Sequence, residues 1–76
     1  MQEFSGVVLQ SDDAPVFEAL YDGGKSAFIV KEDCQISAGD VIFGPLQSVG
    51  DQIIYNETRC IRLKVQIFLV RRHVGN

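Results

Sequence analysis

From Cys60 to Ile67 apolar and polar residues alternate without a break: Cys-Ile-Arg-Leu-Lys-Val-Gln-Ile. A period of two sends successive side chains to opposite faces of an extended chain, so this segment predicts a half-buried β-strand. The rest of the chain repeats the signal in shorter pieces. Phe4 to Gln10 is rich in β-formers and runs into Ser11-Asp12-Asp13-Ala14-Pro15, a stretch of turn residues. Val16 to Tyr21 sets Phe17, Ala19 and Tyr21 on one face and Val16, Glu18 and Leu20 on the other. Asp22-Gly23-Gly24 then interrupts before Lys25 to Lys31 resumes the pattern. That predicts a hairpin, whose glycines supply the positive φ a short loop needs. A short fourth strand, Val41 to Phe43, stops at Gly44-Pro45, where proline removes a ladder donor. A fifth runs from Gln52 to Tyr55, and Asn56-Glu57-Thr58-Arg59 turns the chain into the long final strand.

No stretch sustains a 3.6-residue period and the connections are short, which favours antiparallel pairing in a meander. Six short strands in 76 residues are too few for an ordinary two-layer sandwich, so the sheet is expected to curl on itself and remove its edges. The expected fold is therefore all-β: one small antiparallel barrel of five or six strands, SH3-like or OB-like in strand count and spacing. It should form a single domain over residues 1–76, with a tail that frays from about residue 72. An analogy of this kind transfers no function.

The final strand ends in Ile67-Phe68-Leu69-Val70, apolar at four successive positions, which implies burial on both faces there. A small barrel has no second layer of its own, so these four residues are the candidate interface of a homo-oligomer, with a dimer as the simplest form. The hydrophobic content of 46% supports a folded chain with apolar side chains to spare.

Charge adds a second feature. Residues 1–57 carry ten acids and two bases, a balance of −8, whereas Thr58 to Asn76 carries five bases and no acid, +5. Arg62, Lys64, Gln66 and Phe68 would share the outer face of the last strand. A cationic row ending in an aromatic is one way a sheet holds single-stranded nucleic acid, so Arg62, Lys64 and Phe68 form the alternative face. Three contacts would bind weakly, and the net charge of −3 opposes polyanions. Pairing of Arg62 and Lys64 with Glu3, Glu18 or Glu57 is the expected state, and a nucleic-acid partner is not expected.

Reaction chemistry is sparse. Cys34, Cys60 and His73 lack the local spacing that anchors zinc, and His73 falls in the expected tail, away from either thiol. The cysteines read as buried structural thiols. Asp12, Asp13, Glu32, Asp33, Asp40 and Asp51 fall in turns, where carboxylates cap backbone N–H groups and stay hydrated. No catalytic residue, metal site or cofactor is assigned. The chain shows no secretory signal and no apolar run near the roughly 20 residues of a membrane-spanning helix, so a cytoplasmic location is expected. The sequence thus predicts a non-enzymatic binding module that self-associates. The alternatives are an OB-like nucleic-acid binder, and a very small enzyme or ligand-binding protein with its site at a protomer interface.

In a reducing compartment the two thiols stay apart. Adding dithiothreitol is expected to leave the Tm unchanged; a fall of many degrees would reveal a Cys34–Cys60 disulfide, whose loss from a small domain costs about 2–5 kcal/mol.

Overall fold

The computed structural model describes residues 2–31 and 35–73. These residues form six strands and no helix: β1 (Phe4–Val8), β2 (Val16–Tyr21), β3 (Gly24–Val30), β4 (Val41–Gly44), β5 (Gly50–Asn56) and β6 (Ile61–Arg72). They close into an antiparallel barrel in the order β1-β2-β3-β6-β5-β4, with β4 returning to β1. The expected small all-β barrel is present, but it is not a simple meander. Two three-stranded meanders are joined because β3 pairs with β6 and β4 with β1, so β3 and β4, though consecutive in the chain, are not neighbours in the sheet. The run β4-β1-β2-β3 is a Greek key, an order that OB-type barrels also use with five strands.

Alternation decides what faces inward. Val8, Ala19, Tyr21, Phe28, Val30, Ile42, Ile54, Leu63, Val65 and Ile67 fill the interior, with Leu46 plugging it from the β4–β5 connection. Phe17 stacks near Phe28 at 6.4 Å between centroids, and Phe4 leans on Tyr21 at 5.0 Å. β6 is longest because it serves two neighbours: Ile61 to Ile67 pair with β5, and Val65 to Arg72 with β3.

The four apolar residues at the end of β6 are explained by a bulge, not by burial on both faces. Ala27 lies opposite Leu69 and Phe28 opposite Ile67, which leaves Phe68 as an extra residue. An inserted residue breaks the period of two. Ile67 is therefore fully buried and Val70 packs against the core, while Phe68 and Leu69 both stand outside, 46% and 41% exposed. No loop of the described chain covers them.

Each mouth is closed by a polar tie. At one, Tyr21 Oη lies 2.6 Å from Ser26 Oγ, and Ser26 donates to the Leu46 carbonyl at 2.5 Å, so the tyrosine must donate to the serine. At the other, the backbone of Asp40 and Gly39 continues the β1–β4 ladder onto Val8, and Ile36 packs on the core. The β2–β3 turn uses Gly23 at φ 109°, a conformation that costs a side-chain-bearing residue more. Gly24 is needed for space: a Cβ there would sit 2.3 Å from the Arg71 carbonyl oxygen in the adjacent strand.

Backbone cannot swing aside as a side chain can, so Gly24→Ala should force β3 and β6 apart. Chemical denaturation should show a loss of about 1–3 kcal/mol, the usual cost of overpacking. An unchanged midpoint would contradict the close approach.

Candidate functional site

The outer surface of the barrel is more apolar than its closure requires. Register places Leu20, Val7 and Val41 directly opposite one another across β2, β1 and β4. Two residues further along β4, Phe43 faces Tyr55 on β5, and Ile53 lies two residues from Tyr55 on the same face. All six side chains are between 36% and 59% exposed, and they form a belt of neighbours on the outer face of β2, β1, β4 and β5, with Glu57 beside Val41. Phe68 and Leu69 at the bulge are a separate, smaller patch. The candidate interface named from sequence is thus divided: Ile67 lines the core, Val70 is half-buried, and only Phe68 and Leu69 are available outside. The belt's signal was present in the sequence as Val7-Val8, Val41-Ile42-Phe43 and Ile53-Ile54-Tyr55, short runs that are apolar on both faces in the same way as the end of β6.

The alternative face keeps its geometry. Arg62, Lys64 and Phe68 all point outward from β6. Arg62 lies opposite Tyr55 and Lys64 opposite Ile53, so the cations border the belt. Two other ion pairs lie on the wall of the barrel. Glu18 pairs with Lys25 at 3.6 Å and Asp51 with Lys31 at 2.9 Å, both exposed contacts worth under about 1 kcal/mol. Arg62 makes no ion pair among the described residues.

One polar cluster is buried, and it centres on a residue that sequence alone placed in a hydrated turn. Asp40 is 5% exposed, and its Oδ2 accepts from Asn56 Nδ2 at 2.9 Å, Arg59 Nε at 2.8 Å and the Ser37 N–H at 3.0 Å. Arg59 also donates to Ser37 Oγ, and its N–H reaches Asn56 Oδ1. Burial alone would raise the Asp40 pKa, but the hydrogen bonds from Asn56, Arg59 and Ser37, with the Arg59 charge, outweigh it and hold the carboxyl below its usual 3.8. All three of these hydrogen bonds converge on one carboxylate oxygen, Oδ2. It ties the crossover to the β5–β6 turn.

Cys60 is exposed with a free thiol at φ 57°, not a buried one. Its Sγ lies 3.7 Å from the Glu57 carbonyl. A hydrogen bond and the charge of Cys60 raise the Tyr55 pKa, as do partial burial and Glu57, while Arg62 opposes them. Cys34 lies outside the described residues, as do Glu32 and Asp33. β6 continues to Arg72, and the exposed His73 adds one backbone bond, to the Gly23 carbonyl at 3.0 Å. Among the described residues no group of three His, Cys, Asp or Glu side chains is placed to hold a metal ion, and no helix is long and apolar enough to cross a membrane. Two open depressions are lined in part by belt residues. One, of about 790 Å³, lies by Ile53, Pro45 and Lys64, and one of about 490 Å³ lies by Val7, Leu20 and His73. No family model matches the chain, and neither a curated protein nor a solved structure shows significant similarity to it.

Because the Asp40 pKa is depressed in the fold, its contribution to stability is complete above 3.8 and is lost as pH falls through the lower folded value. Denaturation between pH 7 and pH 2 should show Asp40→Asn less stable than the parent by about 1–3 kcal/mol at neutral pH. The two curves should converge in acid. Parallel curves would contradict the role of the ionised carboxylate.

Proposed function

We propose that the protein is a small non-enzymatic binding module that acts by protein–protein contact and associates with itself. The observation that carries this reading is the belt of exposed apolar side chains from Leu20 to Ile53 on a barrel whose interior is already full. The belt exceeds the scatter of single apolar residues seen on ordinary surfaces, and contiguous patches of roughly 300–600 Å² often mark contact sites. Where the strands of the belt pair with one another, a partner must be held by side chains and not by strand addition.

A nucleic-acid reading has less support. Lys25 and Lys31 are neutralised by Glu18 and Asp51, and Glu57 lies close enough to Tyr55 to raise its pKa. Light scattering at micromolar concentration should give a multiple of the 8.4 kDa chain mass. A mass of one chain throughout that range would overturn the self-association.

A further inference from the structure

We propose that the edge of β5 from Asp51 to Ile53, on the side that faces β4, is a docking site for an extended peptide segment of a partner protein, which joins the sheet as an added strand. This rests on the protein-contact reading above and names the form of the partner; it does not depend on self-association.

The ring closes unevenly where β4 meets β5. Only Ile42 with Asn56 and Phe43 with Tyr55 are in register there, although β5 runs from Gly50 to Asn56. Beyond Phe43 the next hydrogen-bonded place on β4 would fall to Pro45, which has no N–H to donate, and Leu46 then turns into the core. Alternation identifies the backbone groups that this leaves. The Glu57 N–H donates to the Val41 carbonyl at 2.8 Å, so Tyr55, Ile53 and Asp51 also present their N–H and C=O to the β4 side. The other neighbour agrees: Lys64, opposite Ile53 on β6, gives its carbonyl to the Lys31 N–H at 2.9 Å and so points away from β5. Among the described residues no backbone bond reaches Asp51 or Ile53 from the β4 side.

The chemistry of this edge selects its occupant. N–H donors and carbonyl acceptors spaced along an extended chain match the backbone of another extended chain, and such main-chain bonds hold a peptide whatever its exact sequence. The edge borders the open depression of about 790 Å³, to which Asp51, Gln52 and Ile53 contribute from β5 and Glu3 and Pro45 from the β1–β4 side. A gap lined from both sides admits one strand and not the wall of a second barrel. Lys31 neutralises Asp51 at 2.9 Å beside the edge, so charge there favours neither an acidic nor a basic segment. Ile53 and Pro45 offer apolar surface to one side chain of the incoming strand.

The test is amide hydrogen exchange followed by NMR on the dilute protein. The probe is a capped pentapeptide of alternating threonine and valine, and its control is the same peptide N-methylated at every internal amide. In the free chain the Asp51 and Ile53 amides should exchange much faster than those of Gln52 and Ile54, which face β6. Millimolar peptide should slow both, and the methylated twin should slow neither. Ile53→Pro removes a donor at an open edge, where proline is tolerated; it should keep the fold by circular dichroism and bind the peptide about tenfold more weakly. Should that variant not fold, the comparison of the two peptides decides alone. Equal protection of all four amides in the free chain, or an equal response to both peptides, overturns the proposal. So does protection without peptide that vanishes on dilution, which would assign the edge to a second copy. A monomer that takes the peptide ends self-association and keeps this inference; a dimer whose edge takes neither peptide does the reverse.

Discussion

A six-stranded barrel built from strands of four to twelve residues has room inside for only one of the two sets of side chains that each strand presents. In this chain that single set is complete: alternate residues of all six strands, with Leu46 from a connection, fill the interior. Every further apolar residue on the strands must then point outward. Val7, Val41, Phe43, Tyr55 and Ile53 are outside because the period of two leaves them no other direction. Their exposure among the described residues follows from closure of the ring.

The same closure explains the polar interior. A ring made from two meanders brings Gly39 and Asp40 to one end of the barrel beside Val8, where buried Asp40 would lose water without compensation. Asn56, Arg59 and the Ser37 amide supply that compensation, and Tyr21 and Ser26 do the same for the Leu46 carbonyl at the opposite mouth. These ties hold the connections down on the barrel ends.

Much of this was legible in the sequence, and the failures have physical causes. Alternation located the strands because it is a local property. Strand order was less accessible: β3 finds β6 and β4 finds β1 through contacts far apart in the chain, so a meander was the wrong default. The phase break at Phe68 belongs to a ladder and depends on Ala27 and Phe28 opposite it, so four apolar residues in a row looked like burial on both faces. Asp40 looked like a hydrated turn residue because its burial exists only once the crossover closes. Cys60 looked apolar in the pattern but falls at the tip of a turn. The belt could have been found, since Val41-Ile42-Phe43 and Ile53-Ile54-Tyr55 carry the same two-faced signal as Ile67 to Val70.

The most direct measurement of the central claim is an amide NMR spectrum of the unmodified protein followed over serial dilution from high to low micromolar concentration. The proposed self-association through the belt predicts concentration-dependent shifts at residues 7, 41, 43, 53 and 55, with the amides of Phe68 and Leu69 unmoved. A spectrum invariant over that range at the diffusion rate of one chain, or shifts confined to the bulge in β6, would contradict it.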